Sequence, residues 1–400
     1  MSRFSSIGSL LMLVAISVSG LASPPVFAQE DVSPAATSPS LGPTAVATGL
    51  INPRGFTWDD EGRMIVALAG NGGLATDPTR ESASGTPDPN ATPDLVADSA
   101  DVLVADQSGA VVKIMSGCPV DVAIGLPSYN FLPLNWADGV IDVAVLDGTL
   151  YALVDGGGEA ALHPEEPNGV YRIQDGAAHL VADLSAWFRA NPVAEPTHDI
   201  SPDGQPYAMV ASEGKLWITE SNHEQLLTVT PQGTITRIVD LSPAALVDVG
   251  VPTGLAIAPD GSMYIGLLSE VPFPDGAAKV IEVATDGAVR DVWTGLTAVT
   301  DIALGPDGTL YASELSTGNS DTDPFYHPHS GAVVHQTGPD TMEVVVSDLD
   351  YPVHLGFGPD GMIYVGGPAL GSNAGQGAIL RLDPTEAPVS AADLPQPHVC

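Results

Sequence analysis

The chain has 400 residues, and those with the clearest chemical potential are acids that recur at fixed places in a repeated unit. Asp142 and Asp301 stand at the start of short apolar runs, and Glu220 and Glu314 stand at the end of the runs that follow. If these runs are strands around one axis, the four carboxylates converge there. Convergent carboxylates, joined by backbone carbonyls and waters, suit Ca²⁺, which takes roughly six to eight oxygen ligands. Arg54, Tyr207, Thr253 and His354 begin the corresponding runs in other units, while Asn222 and Glu270 close second runs. These six are the candidate ligand contacts along the same axial channel. The competing reading of the acids is half-exposed carboxylates hydrogen-bonded to loop amides in an acidic protein.

Other constellations carry less. His327 and His329 are one residue apart and, with His335 or His354, have the ligand types of a transition-metal site; the alternative is an exposed, proline-rich loop. His198-Asp199 and His223-Glu224 are acid/base candidates only if they face a pocket. Asp321-Thr322-Asp323-Pro324 lacks the spacing of a linear Ca²⁺ loop. The sequence contains no GxSxG elbow, P-loop, dinucleotide fingerprint or HExxH motif. Nucleophilic catalysis has no visible agent.

The elements that must position these residues are hairpins. Asp301 to Glu314, DIALGPDGTLYASE, holds two alternating apolar runs joined by Pro306-Asp307-Gly308, a tight-turn signal. Leu255 to Glu270 and Leu355 to Gly367 repeat it closely. Phe56 to Gly70, Val143 to Gly156 and Met209 to Asn222 are degenerate copies. Each hairpin precedes further strand signals, such as GAVVKI (Gly109 to Ile114) and DVAIGL (Asp121 to Leu126) in the first unit. Only five fourth strands follow a hairpin; the sixth is supplied by AVATGL (Ala45 to Leu50), ahead of the first. The expected fold is all-β, a six-bladed β-propeller in which an N-terminal strand completes the last blade and leaves no open edge. AWFRANP (Ala186 to Pro192) is expected to form a short helix in an insertion.

Met1 to Ala28 reads as a signal peptide, with Arg3 before an apolar stretch and Val26-Phe27-Ala28 at the cleavage site. Residues 29–43 read as a flexible leader, 44–384 as the propeller with an inserted loop at about 71–101, and 385–400 as a C-terminal tail. Export is therefore expected, secreted or periplasmic, with no membrane insertion after signal cleavage. Lys and Arg number 12 against 49 Asp and Glu, a net charge of -37, which argues against nucleic acid and anionic lipid as partners. Cys118 and Cys400, the two cysteines, fit an oxidising compartment. Either they form a disulfide that fastens the tail across the closure, or they are unrelated thiols.

Several stretches together resemble the ScyD/ScyE family of exported proteins, six-bladed propellers related to NHL-repeat propellers and associated with synthesis of the pigment scytonemin. They are GLINPRGF (Gly49 to Phe56), GAVVKI, GLPS (Gly125 to Ser128), DLSAWFRANP (Asp183 to Pro192), VPTGLAIAPDGSMYIG (Val251 to Gly266), VPFPDGAAKVIEV (Val271 to Val283) and DIALGPDGTLY. The resemblance spans most of residues 44 to 384. It departs in the second unit, where Gly139-Val140-Ile141-Asp142 replaces a Pro-His-Asp-Ile-like segment. What the resemblance implies is export and a propeller, without a reaction. Two functions are consistent with the sequence: a non-catalytic propeller binding a small molecule, envelope component or protein through one face, or a Ca²⁺-dependent lactonase or esterase similar to gluconolactonase and paraoxonase propellers.

Overall fold

The structure, a computed structural model, describes residues 44–73, 103–132, 135–195, 201–243, 250–322, 325–372 and 375–393. The signal segment, the leader, most of the inserted loop, His198-Asp199 and Cys400 lie outside them.

Six sheets of four or five strands, antiparallel except at one added edge strand, organise the described chain. The opening strand β1 (Thr44–Leu50) belongs to the last sheet. Blade one holds β2 (Pro53–Trp58), β3 (Met64–Leu68), β4 (Leu103–Met115), β5 (Cys118–Phe131) and the short β6 (Trp136–Asp138). Blade two holds β7 (Val140–Leu146), β8 (Thr149–Val154), β9 (Gly169–Gln174) and β10 (Ala177–Asp183), and helix α1 (Leu184–Ala190) follows. Blade three holds β11 (Pro206–Ser212), β12 (Lys215–Glu220), β13 (Gln225–Val229) and β14 (Ile235–Asp240). Blade four holds β15 (Val251–Ile257), β16 (Met263–Leu268), β17 (Ala278–Val283) and β18 (Val289–Leu296). Blade five holds β19 (Val299–Leu304), β20 (Leu310–Glu314), β21 (Gly331–Gly338) and β22 (Thr341–Leu349). Blade six holds β23 (His354–Phe357), β24 (Ile363–Gly367) and β25 (Gly377–Leu382), completed by β1. Finally β26 (Val389–Ser390) returns to pair in parallel with β22 of blade five.

Each inner strand packs against that of the next blade, and β2 meets β23, so the six sheets form a closed ring. This is the six-bladed propeller the repeats predict, with β1 paired antiparallel to β25 at the closure. The hairpin turns form for local reasons. Gly261, Gly308 and Gly361 adopt positive φ of 88°, 84° and 74°, and the aspartate before each caps the chain beyond it, as Asp307 Oδ1 does for the Thr309 amide at 3.0 Å.

The core is divided among the seams between blades. Val111, Val140, Ala152 and Val154 fill one seam, and Leu153, Leu184, Leu216, Ile218 and Leu227 the next. Trp293 and Val280 lie between blades four and five. Burying each such side chain stabilises the ring by about 1.5–3 kcal/mol.

Two expectations are adjusted. Helix α1 starts at Leu184, where Asp183 accepts the Ala186 amide at 2.7 Å as an N-cap, and it stops before Pro192. The β4–β5 hairpin is much longer than the two runs read as Gly109 to Ile114 and Asp121 to Leu126. It continues past the blade, pairing Leu103 with Phe131, and β6 folds back along it.

Candidate functional site

All six inner strands begin, and all six second strands end, on one face of the ring. Five of the inner strands begin with a β-bulge there: the register slips between Pro53 and Phe56, Val140 and Asp142, Pro206 and Ala208, Pro252 and Leu255, and Val299 and Asp301. A bulge inserts a residue and re-aims its side chain. The inserted residues are Arg54, Ile141, Tyr207, Thr253 and Thr300, with Gly55 and Gly254 also unpaired in blades one and four. Three of the predicted contacts, Arg54, Tyr207 and Thr253, therefore share one structural position.

In blades four and five the hydroxyl at this position is satisfied. Thr253 Oγ1 lies 3.0 Å from the Val299 carbonyl of the next blade, and Thr300 Oγ1 lies 2.9 Å from that of Pro352. Arg54 reaches within its own sheet, donating from Nη2 to the Ala137 carbonyl of β6, and it has five N–H donors. Its Nη2 lies 3.5 Å from Asp138 Oδ1, and its guanidinium lies 5.2 Å from the Trp136 ring centroid. Arg54 is 1 % exposed, and its Nε and Nη1 have no hydrogen-bond partner. The Tyr207 hydroxyl is likewise buried without a partner.

Around them the β4–β5 extension and β6 add further polar and aromatic side chains. Tyr129 donates to Asp138 Oδ2 at 2.9 Å and also meets the Gln205 side chain. Asp155, at the end of β8, accepts from Asn168 Nδ2 at 3.1 Å. Burial, with Asp138 and Glu220 nearby, pushes the Asp155 carboxyl well above its ordinary value, and Arg54 opposes the shift. Arg54, Asp138 and Asp155 are buried while Tyr129, Trp136 and Tyr207 keep partial exposure. Burial is also the largest influence raising the Tyr207 hydroxyl, which stays protonated and able to donate.

One residue further along the inner strands lies a second tier, and here the acids are engaged. Asp142 accepts the Val143 amide at 2.7 Å and the Met209 amide of blade three at 2.7 Å. Asp301 does the same with Ile302 at 2.8 Å and with Leu355 of blade six at 2.9 Å. A Cβ on Gly55 would collide with Asp142, and one on Gly254 with Asp301, so each carboxylate leans on the preceding blade as well. His354 Nδ1 lies 2.8 Å from Asp301 Oδ2, and its ring meets Phe56 of blade one edge-on. Burial works against the imidazolium, but the charge and hydrogen bond of Asp301, the charge of Asp142 and the Phe56 backbone outweigh it and raise His354 to about 9. Burial raises Asp142 to about 7 against the opposing pull of His354.

The remaining acids cap loops. Glu220 takes the amides of Gln205, Asn222 and His223 and the side chain of Gln225. Glu314 holds the equivalent place in blade five, accepting the Thr297 amide at 2.7 Å, and burial raises it to about 7. Asn222 donates to the Ser201 carbonyl, and Glu270 stands exposed in its loop.

The four acids named for Ca²⁺ thus occupy two kinds of position. Among the described residues no three His, Cys, Asp or Glu side chains are placed to hold a metal ion. His335 pairs instead across its own sheet with Glu343 at 3.6 Å, apart from His354 on Asp301. Cys118 is disulfide-bonded.

The sequence reading missed Tyr129, Trp136 and Asp138. The available signal was the aromatic and polar run after Leu126, SYNF then NWAD, which no blade needed.

No family model matches the chain, and no curated protein does. Solved structures are similar. A protein of unknown function from Bacteroides thetaiotaomicron shares 11 % identity at a TM-score of 0.50, with 85 % of this chain and 74 % of that one covered. A gluconolactonase of Xanthomonas campestris shares 12 % identity at a TM-score of 0.50, covering 85 % of this chain and 89 % of that one. At these identities the likeness concerns the fold, and it makes the chain a propeller of the kind on which gluconolactonase-like proteins are also built.

Proposed function

We propose that this protein is an exported, non-catalytic β-propeller that binds a small molecule, an envelope component or a protein partner at the cluster around Arg54. One observation carries the reading. Arg54 and Tyr207 are buried with donors unmet, and a buried donor without an acceptor costs about 1–3 kcal/mol. A ligand carrying oxygen acceptors would satisfy Nε, Nη1 and the Tyr207 hydroxyl together. Asp138 and Asp155 stand ready to take its O–H or N–H groups. The resemblance to ScyD/ScyE proteins belongs to the same proposal and supplies the expectation of export.

Native mass spectrometry of gently purified protein tests this. The wild type carries or captures a small ligand, or retains a partner, that Arg54→Met and Tyr207→Phe both lose while remaining folded. Identical spectra for all three proteins would remove the Arg54 cluster from consideration.

A Ca²⁺-dependent lactonase or esterase is the second reading, extended from the Xanthomonas gluconolactonase. Against it, Asp142, Asp301, Glu220 and Glu314 are each already engaged by backbone amides. Metal analysis followed by lactone and aryl-ester turnover, with and without chelator, decides it. Bound Ca²⁺ with chelator-sensitive turnover would reinstate it.

A further inference from the structure

The strand that shuts the ring is held lightly. β1 is the outermost strand of blade six, and its ladder with β25 slips twice, between Ala45 and Ala47 and between Ala47 and Leu50. Each slip takes hydrogen bonds out of the ladder. On the outer edge of β1 rests the turn between β4 and β5 of blade one: the Thr48 amide donates to the Gly117 carbonyl at 3.2 Å, and a Cβ on Gly117 would stand 3.7 Å from the Val46 carbonyl oxygen. The next residue is Cys118, which is disulfide-bonded.

The C-terminal segment arrives on the opposite side of the same blade. β26 pairs with β22 of blade five, and the Ser390 hydroxyl donates to Asp348 at 2.5 Å. Ala391 and Ala392 then line a cleft of about 460 Å³ together with Val365, Ala378 and Leu380 of blade six. The chain holds two cysteines, so the partner available within it is Cys400, seven residues beyond Asp393. An extended chain covers at most about 3.6 Å per residue, which gives this segment a reach of about 25 Å, and packed sheets stand roughly 10 Å apart. That carries it from one face of blade six to the other, and not the long way around the ring.

We propose that Cys118 and Cys400 form one bond and that the segment after Asp393 rounds the outer edge of β1 as a strap, fastening blade five to blade one across the closing strand. The bond forms by thiol–disulfide exchange: the two thiols give up two electrons and two protons to a disulfide oxidant, which leaves as two thiols, and the sulfurs join. A disulfide ordinarily acts by constraining the unfolded chain. A strap laid over β1 does more, since it also opposes local opening of the native ring, and only at the seam it crosses. The closure is thereby sensitive to reductant: with the bond cut, the blades keep their cores while β1 opens more often. The strap does not depend on ligand binding near Arg54.

Non-reducing proteolysis of the alkylated full-length protein, read by mass spectrometry, should give a peptide that joins Cys118 to Cys400 within a monomer. Two alkylated cysteines, or Cys118 joined to Cys118 of a second copy, would overturn the proposal. Hydrogen exchange then separates a strap from general stabilisation. Cys400→Ser should speed exchange of the β1 and β25 amides by about tenfold or more and leave β12 and β13 of blade three unchanged. Folded wild type treated with a phosphine, which consumes one water, becomes the phosphine oxide and frees both thiols, should match that variant, so the result does not hang on how the variant folds. Faster exchange in every blade alike, or no change at β1, would overturn the strap.

Discussion

Thr253 and Arg54 occupy the same bulge position in blades four and one, and they use it in opposite ways. The threonine fits a single hydroxyl between the Gly266 and Val299 carbonyls and is complete. The arginine donates to the Ala137 carbonyl of its own sheet and keeps Nε and Nη1 in reserve, buried. A scaffold that needs only a stitch from blade to blade is served by Thr. An Arg at that position carries donors beyond what the stitch requires, together with a desolvation cost that only another function offsets. The same contrast separates the two tiers: Asp142 and Asp301 spend both carboxylate oxygens holding three blades together, whereas the tier above them in blades one and three is left unfinished.

The sharpest break in this comparison is Asp301→Ala. It strands the Ile302 and Leu355 amides and the His354 imidazolium, and should cost about 3–5 kcal/mol by chemical denaturation. A loss below about 1 kcal/mol would mean the second tier is not structural. Thr253→Val should cost about 1–2 kcal/mol, because it removes a satisfied hydroxyl and leaves buried carbonyls. Arg54→Met alone leaves Asp138 buried without its cation, whereas Arg54→Met combined with Asp138→Leu removes the pair and the unmet donors together and should be neutral or stabilising by up to about 1 kcal/mol. If the double change instead destabilises as Thr253→Val does, the pair is scaffold and the binding reading weakens.

Stability against pH sharpens the lower tier. His354, raised from 6.5 to about 9, contributes stability that is fully present below 6.5 and disappears as pH climbs through 9. Asp142, raised from 3.8 to about 7, and Glu314, raised from 4.5 to about 7, hold their protons more tightly when folded, so the ring also loses stability as pH rises through that range. All three therefore act in one direction, and thermal unfolding should fall in midpoint from pH 5 to pH 9. His354→Gln should flatten the part of that fall above pH 7. Tyr207→Phe, which deletes an unmet buried hydroxyl, should stabilise by about 1 kcal/mol while losing ligand capture.

The ring itself was open to a sequence reading because hairpins are local. Pro306-Asp307-Gly308 dictates a turn wherever it stands, and six such units with one orphan strand, Ala45 to Leu50, leave little choice of closure. The site was only half legible. That Asp142 and Asp301 face inward follows from strand alternation, but whether such acids bind an ion or amides depends on the bulges, which bring the Met209 and Leu355 amides of neighbouring blades to them. Bulges leave no mark in residue type. Tyr129, Trp136 and Asp138 were invisible for another reason: they reach the Arg54 cluster from a hairpin that outgrows its blade, and a template of four equal strands discards such an extension as linker.

The closure at β1 and β25 has a mechanical consequence. The pair runs antiparallel with Thr44 opposite Arg381, so the start of one strand and the finish of the other lie at the same end of the sheet. A load drawn between those two points peels the pair open one hydrogen bond at a time instead of shearing all of them together. The return of β26 onto blade five lies beyond that weak end and carries the C-terminal side of the load to a different sheet. Tension on the chain is thereby diverted from the seam that keeps the ring shut.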